Sequence, residues 1–274
     1  MKYELIKLAK FLMVPFGYLG SLARQSDSIP ILMYHRVNDG IAKEISVTEA
    51  DFRWQMEYLR RKGFEVISLD EAAQLAQKPG AGRKKKRVVL TFDDGYEDFF
   101  LHAYPVLCEY GYPATIYLVP GYIETGKVFW WDRDLGESRL MRWDHILSIK
   151  NSPLIKFGSH TMTHRDLDRI SEEAAWWELS RSREVLHEKL GYEIRHFSYP
   201  RGIITPCAME AASKLYQTAV SIFDGRDIYR SGEHPLVEIR RLPIQRSDGR
   251  GLFGPRLRGW LDAEGLLKKA VGRH

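Results

Sequence analysis

The alternation of strand-like and helix-like segments limits the fold of this chain more than any other feature of its sequence. The apolar runs ILMYH (31–35), RVVLTF (87–92) and ATIYLVP (114–120) are each followed by a segment with helical features. Such an order predicts parallel pairing, because a helical crossover returns the chain to the end of the sheet where the strand began. About seven strand and helix units favour a barrel or near-barrel over an open sheet.

Helix boundary signals support this interpretation. Thr48 is the predicted N-cap of the helix in TEADFRWQMEYLRRKG, since Asp51 stands three residues later. The longest helix is predicted from Ser171 to Leu190, and Gly191 follows it in the position that commonly ends helices. A chain of 274 residues with 44% hydrophobic residues can bury a large single core.

Charge and cysteine content exclude some classes of partner. The formal net charge is +5, and the obvious basic block, RKKKR (83–87), directly precedes a predicted strand. No nucleic-acid recognition motif accompanies this block, so we predict no nucleic-acid partner. Cys108 and Cys207 stand far apart and form no CxxC pair, and we therefore assign them no chemistry.

The N-terminal segment, residues 1–28, has two interpretations. Its basic start, the apolar stretch from Phe11 to Gly20 and the small residues before Arg24 suit a signal peptide cleaved after Ala23. Against a signal peptide, Glu4 places an acidic residue in the basic start and Pro15 interrupts the apolar stretch. This stretch is also too short to span a bilayer. A helix lying in the membrane interface fits the same pattern.

The C-terminal segment, residues 249–274, repeats this combination of apolar and basic side chains. Its apolar residues include Leu257, Trp260, Leu261, Leu267 and Val271. We therefore expect association with a membrane surface through both ends, the alternative being that both segments pack on the domain itself. The expected organisation is an N-terminal amphipathic segment (1–28), a barrel (29–248) and a basic amphipathic tail (249–274).

Polar residues follow the predicted strands at one end of the sheet. His35, Asp93, Asp94 and His160 each come directly after an apolar run, and the turn YPRG (199–202) follows another. In barrels of parallel strands the chemistry lies at the carboxyl ends of the strands. We therefore expect these side chains to meet in one cleft.

Two short motifs indicate a metal site. TFDDG (91–95) places two carboxylates after a buried strand, and the break at Gly95 lets both face the cleft, although Asp-Gly is also common turn chemistry. In SHTMTH (159–164), His160 and His164 are four residues apart, the spacing that places two imidazoles on one side of a helical turn. Two imidazoles and one carboxylate resemble the ligands of catalytic zinc, and cobalt, nickel or iron would also suit them.

Together, TFDDG, SHTMTHRDL and FSYPRG resemble the polysaccharide deacetylases of the NodB-homology type (carbohydrate esterase family 4), over roughly residues 30–244. The resemblance implies a distorted (β/α)7 barrel and a metal-dependent hydrolase that removes N-acetyl, less often O-acetyl, groups from glycans. It implies that Asp94, His160 and His164 bind the metal, for which their ligand types make Zn²⁺ the default, and that Asp93 is the general base. It also implies that the backbone N–H of Arg201 binds the oxyanion.

The sequence departs from the common family pattern at two points. Ser198 occupies the position where many members have an arginine that pairs with the base, and the last strand, EIRRLPI, contains no histidine to act as general acid. A permuted branch, resembling poly-N-acetylglucosamine deacetylases, takes this histidine from an N-terminal strand ending in Tyr-His. LMYHRV matches that strand, so His35 is the expected general acid, and Arg241 is the candidate to replace the missing arginine beside Asp93.

Aromatic residues are candidates for sugar contacts. Trp130 or Trp131, in VFWWD, would stack on a pyranose ring, with core packing as the alternative, and Tyr199 is a further candidate. Trp176 and Trp177 are expected to pack a helix on the barrel.

The expected substrate is an N-acetylated hexosamine glycan, acted on at a membrane or in the cell envelope. A lipid-linked sugar or an O-acetyl ester is the enzymatic alternative. An inactive glycan-binding or scaffold protein is disfavoured, because all five key side chains are present.

Overall fold

A computed structural model describes residues 2–22, 29–77, 85–135, 139–222, 236–262 and 264. The strands are β1 (Ile31–Tyr34), β2 (Arg36–Val37), β3 (Ser46–Val47), β4 (Glu65–Val66), β5 (Arg87–Phe92), β6 (Ala114–Leu118), β7 (Ile155–Ser159), β8 (His196–Ser198), β9 (Thr218–Val220) and β10 (Leu242–Pro243). The helices are α1 (Lys2–Leu22), α2 (Glu49–Arg61), α3 (Leu69–Ala76), α4 (Tyr104–Tyr110), α5 (Pro120–Thr125), α6 (Trp143–Ile149), α7 (Glu172–Leu190), α8 (Pro206–Leu215) and α9 (Gly249–Leu257).

The main sheet is parallel and follows the order β10-β1-β5-β6-β7-β8-β9, with β4 beside β5. Strands β2 and β3 pair separately. Ile239 bridges to Val220 of β9, and three residues later Leu242 pairs with Leu32 of β1. One short segment thus contacts both edges of the sheet, which is curled and surrounded by helices. The predicted α/β architecture with parallel strands is confirmed.

The core forms on both sides of the curled sheet, because most strand residues are buried. Leu90, Ile116 and Phe157, from three neighbouring strands, belong to the larger cluster, which the helices cover. Val89 and Tyr117 belong to a smaller cluster that includes residues of α3. Side chains that alternate along a strand point to opposite sides of the sheet, which explains the division.

The predicted ends of two helices are confirmed. Thr48 Oγ1 accepts a hydrogen bond of 3.0 Å from the backbone N–H of Asp51, and Ser171 caps α7 in the same way. Gly191 ends α7 in the left-handed conformation, with φ of 78°. The expectation for Trp176 and Trp177 was wrong, because both side chains of α7 are exposed.

Helix α1 is attached to the barrel by a buried lysine. Nζ of Lys10 donates hydrogen bonds to Gln245 (2.6 Å), Ser247 (2.6 Å) and Asp248 (2.9 Å). Two further carboxylates, those of Glu44 and Glu264, lie 3.5 and 3.6 Å away. Arg256, which lies on α9, pairs with both Asp248 and Glu264. We call this cluster the Lys10 network.

The described parts of the terminal segments both lie against the barrel, as the alternative interpretation of the sequence expected. Leu267 and Val271, as well as Arg83 and Lys84 of the basic block, lie outside the described residues. Among the described helices, none is both long and apolar enough to cross a membrane.

Replacement of Lys10 should destabilise the protein. Lys10 is only 2% exposed, so Lys10→Ala would leave buried carboxylates with Arg256 as their main cation. We expect the free energy of unfolding to fall by about 3 kcal/mol. Denaturant unfolding measures this loss, and Leu12→Ala on the exposed side of the same helix is the control, with a change within about 0.5 kcal/mol. Equal losses in the two variants would contradict the assignment of Lys10 as an anchor.

Candidate active site

Two adjacent carboxylates follow β5 at the carboxyl end of the sheet. Tyr34 of β1 lies opposite Phe92 of β5, and the N–H of Asp93 donates to the carbonyl of Tyr34 at 2.9 Å. The next residues of the two strands, His35 and Asp93, therefore emerge side by side. Asp94 has φ of 71°, so the chain already turns one residue before Gly95. Aspartate tolerates this left-handed conformation, which lets two successive side chains reach one cleft.

The two histidines lie on a loop after β7, so the predicted helical turn was wrong. Thr161 and His164 both have positive φ, 64° and 54°, which is incompatible with a regular right-handed turn. The backbone N–H of His164 instead donates to Thr161 Oγ1 at 3.0 Å.

A buried glutamate on α7 supports this loop. Glu178 accepts a hydrogen bond of 2.8 Å from the N–H of Thr163, and the hydroxyl of Thr163 contacts its second oxygen. The carbonyl of Glu178 accepts the N–H of Met162. No pattern in the sequence identified Glu178, because its partners are fifteen and sixteen residues away and lie on the loop, not on α7.

The side chains of Asp94, His160 and His164 meet at one buried point. Oδ1 of Asp94 lies 3.5 Å from Nε2 of His160 and 3.4 Å from Nε2 of His164. One nitrogen or oxygen from each residue lies within 4.8 Å of the others. Oδ1 of Asp94 is buried and receives no hydrogen bond. An oxygen in that position is costly, and a cation bound by the same three atoms would compensate it.

The protonation states suit a metal centre. Burial lowers the pKa of His160 to about 4, so its imidazole is neutral at neutral pH, as a metal ligand must be. Nδ1 of His160 lies 2.7 Å from the carbonyl oxygen of Ser198, a contact that favours a proton on Nδ1 and leaves Nε2 free to coordinate. Burial alone would raise the pKa of Asp94, but the contact with His164 outweighs it and keeps the carboxyl ionised. The residues present therefore fit a divalent metal.

The second carboxylate, Asp93, is held by Arg241. The two terminal guanidinium nitrogens donate to its two oxygens at 2.6 Å each, and Ser198 Oγ donates at 3.2 Å. Both side chains are fully buried. Burial alone would raise the pKa of Asp93, but the charge and hydrogen bonds of Arg241 outweigh it and hold this pKa well below its ordinary range. The structure thus brings together the pair that the sequence suggested, with a serine in the place of the common arginine.

His35 lies at the same cleft. The residue is half-buried, and its backbone leaves β1 directly beside Asp93, because Tyr34 and Phe92 are paired. The next residue, Arg36, is fully buried, and its Nε donates to Asp98 at 2.6 Å. This ion pair fixes the backbone immediately after His35.

An aromatic wall, formed by Phe129 and Trp131, borders His164. The two rings stack with centroids 4.5 Å apart, and each lies 5.1 Å from the imidazole. Nε1 of Trp131 donates to the hydroxyl of Tyr96, which in turn donates to the buried carboxylate of Asp132 at 2.6 Å. Trp131 therefore lies beside the candidate ligands, partly buried. Sequence analysis did not identify the supporting roles of Tyr96 and Asp132, because their contact joins two loops.

The three remaining residues that the sequence suggested for substrate or oxyanion contacts lie in different environments. Trp130 is 68% exposed next to the aromatic wall. Tyr199 is buried and its hydroxyl donates to the carbonyl of Val237 at 2.9 Å, so the predicted contact with substrate was wrong. Arg201 has φ of 54° in the turn after β8, and its side chain pairs with Asp166 at 2.9 Å.

The comparison with known families decides the class of protein. The sequence model of the polysaccharide deacetylase family matches residues 80–220, just over half of the chain. The chain belongs to the polysaccharide deacetylase family. The matched segment contains both carboxylates and both histidines, whereas His35 and Arg241 lie outside it.

Two curated proteins and one solved structure show how far this deacetylase chain resembles its relatives. It is 29% identical over 230 residues to the "Putative polysaccharide deacetylase YxkH" of Bacillus subtilis, covering 82% of this chain and 75% of that protein. It is 26% identical to the poly-beta-1,6-N-acetyl-D-glucosamine N-deacetylase of Staphylococcus epidermidis, covering 70% and 71%. The Streptococcus pyogenes deacetylase PplD, solved in complex with acetate, matches with a TM-score of 0.69 and 25% identity over 88% of this chain and 97% of that one.

Substitution of Glu178 should weaken the metal site without unfolding the protein. Glu178→Gln keeps the size of the side chain but removes one of the two oxygens that hold Thr163. We expect metal affinity to fall about 10- to 100-fold, measured by competition with a chromophoric chelator. Glu184→Gln, on the exposed side of the same helix, is the matched control. Equal affinities of the two variants would show that Glu178 does not position the loop.

The Asp93–Arg241 pair can be tested with a double-mutant cycle. Arg241→Met leaves a buried carboxylate without its cation, and we expect a loss of about 3 kcal/mol or more in the free energy of unfolding. Adding Asp93→Asn removes the unpaired charge, so the double variant should lose clearly less than the two single variants together. Strict additivity in denaturant unfolding would contradict the direct pairing.

Proposed function

We propose that this protein is a metal-dependent hydrolase that removes acetyl groups from N-acetylhexosamine units of a glycan. One observation carries the proposal. A buried oxygen of Asp94 without a hydrogen bond lies between two imidazole nitrogens, next to a second carboxylate held by Arg241. Membership in the polysaccharide deacetylase family and the substrate in the name of the staphylococcal relative support the glycan assignment.

Asp94, His160 and His164 would hold the metal, and zinc suits two imidazoles and one carboxylate best, with cobalt, nickel or iron as alternatives. When bound, a divalent ion supplies Lewis acidity and lowers the pKa of a coordinated water. The carbonyl of Ser198 orients His160, and Glu178 orients the loop that carries His164. The protein thus orients both histidine ligands through its own hydrogen bonds.

Asp93 is proposed as the general base. Arg241 and Ser198 together donate three hydrogen bonds to its oxygens, which have about four acceptor positions. One position therefore stays available for the proton of an attacking water. The ion pair keeps Asp93 deprotonated and fixes the orientation of its carboxylate.

His35 is proposed as the general acid that protonates the departing amine. An amide has a poor leaving group, so proton donation to nitrogen is needed when the carbon–nitrogen bond breaks, and such help accelerates a reaction roughly 100- to 10,000-fold. The backbone N–H of Arg201 is proposed to donate to the oxyanion, a contribution of about 3 kcal/mol in comparable sites. Trp131 and the exposed Trp130 are proposed to contact the sugar.

We also propose that the enzyme works in the cell envelope, on a glycan like the one in the name of the staphylococcal relative. Acetate release should be measured on N-acetylglucosamine and N-acetylgalactosamine oligosaccharides, on a lipid-linked N-acetyl sugar and on an O-acetylated sugar, each with and without a chelator. We expect release from an N-acetylated oligosaccharide that the chelator abolishes and added zinc restores. Acetate release from the O-acetylated or the lipid-linked sugar alone would show that the proposed substrate is wrong. Binding of an oligosaccharide without any acetate release would indicate a glycan-binding protein.

Two substitutions separate the proposed roles. His35→Ala should retain the metal content and reduce turnover at least about 100-fold, because the residue donates a proton and binds no metal. Asp94→Ala should lose the bound metal in a direct elemental assay. His187→Ala, an exposed histidine on α7, should change neither quantity. A normal metal content in Asp94→Ala would refute the ligand assignment, and full activity of His35→Ala would refute the general acid.

A further inference from the structure

Helix α1 is fitted closely to the barrel along one side. Lys10 lies in the Lys10 network, and a Cβ atom added to Gly17 would lie 1.9 Å from the carbonyl oxygen of Trp260. Across the contact, a Cβ atom at Gly251 of α9 would lie 2.8 Å from the ring of Phe11. Glycines at both points allow α1 to approach α9 and the turn after it closely. This side of α1 is therefore a built interface with the protein.

The opposite side of α1 presents apolar side chains to the surroundings. Leu8, Leu12 and Phe16 are spaced four residues apart, which aligns them along the helix, and they are 58%, 65% and 78% exposed. We call these three residues the outer face of α1. Single exposed apolar residues are common, but an aligned row on one helix is typical of a surface that meets an apolar partner.

The positive charge of the chain is concentrated in the two terminal segments, whose described parts meet here. Residues 1–28 contain four lysines and arginines against two acidic residues, and residues 249–274 contain six against two. These segments carry net charges of +2 and +4, whereas residues 29–248 carry −1. Among the described side chains, Lys7 reaches α9 near Gly249, and the guanidinium of Arg258 covers the ring of Trp260.

We propose that the outer face of α1 docks on the surface of a bilayer that contains anionic lipids, with α1 parallel to the membrane plane. An apolar row on a helix flanked by basic segments is the pattern of an interfacial helix, whose apolar side chains insert at the boundary of headgroups and acyl chains. Excess positive charge adds attraction to anionic headgroups. Tyr18 and Trp260, whose rings meet at 5.1 Å, are residue types enriched at that boundary.

The anchoring residues place α1 at the catalytic end of the barrel. Gln245, Ser247 and Asp248, which hold Lys10, follow the carboxyl end of β10. Strand β10 pairs with β1, whose carboxyl end carries His35. A docked enzyme therefore keeps its site near sugars at the bilayer surface. The docking itself does not depend on the proposed reaction.

Vesicle flotation with the full chain tests the proposal. The probes are vesicles of phosphatidylcholine alone and of phosphatidylcholine mixed with phosphatidylglycerol. The test variant is the triple change Leu8→Ser, Leu12→Ser and Phe16→Ser. The matched control changes three exposed apolar residues on other elements, Leu101→Ser, Leu147→Ser and Trp177→Ser. Circular dichroism and thermal unfolding verify that both variants are folded.

We expect the unaltered chain to float with the anionic vesicles, more weakly at high salt, and hardly with phosphatidylcholine alone. The outer-face variant should bind at least about tenfold more weakly, and the control variant should bind as the unaltered chain does. Absence of vesicle binding, or equal binding by the two variants, would overturn the proposal. So would a dimer in light scattering that only the outer-face variant dissociates, because the outer face would then serve self-association.

Discussion

Two carboxylates buried side by side after β5 impose the constraint on which the rest of the site depends. Each charge must be compensated separately, because burial opposes the ionised form of both Asp93 and Asp94. Arg241, fully buried directly before the last strand, compensates Asp93 with two hydrogen bonds. The imidazoles of His160 and His164 approach Asp94, whose Oδ1 still lacks a hydrogen-bond donor. Asp93 thus has a cation of its own, whereas Asp94 has an oxygen left for a further cation. This difference underlies the distinct roles that we propose for them.

The curled sheet explains how distant segments supply these partners. Parallel strands deliver their carboxyl ends to one side, so residues at or beside β1, β5, β7, β8 and β10 meet although His35 and Arg241 lie more than two hundred positions apart in the chain. Loops then adjust the individual side chains. Glu178 holds the histidine loop, and Asp132 with Tyr96 holds the aromatic wall against His164. The same end of the barrel also anchors α1 through Lys10, which connects the proposed membrane surface to the catalytic cleft.

Local patterns predicted the elements well and the loops poorly. The cap at Thr48 was confirmed because a cap depends on residues only three positions apart. The helical turn between His160 and His164 was wrong because Thr161 accepts the N–H of His164, and Glu178, from a different element, holds Thr163. Tyr199 was misjudged because its burial depends on Val237, which comes from another segment. Sequence spacing carries no information on such contacts.

The sequence by itself determined the order of strands and helices, the residues at the strand ends and the family to which they belong, since these depend on local periodicity and short motifs. Only the tertiary structure decided which charges meet. It placed Arg241 on Asp93, surrounded Lys10 with carboxylates and left Leu8, Leu12 and Phe16 exposed. The physical reason is that pairing and burial of side chains depend on distances in space, which folding sets between segments that are remote along the chain.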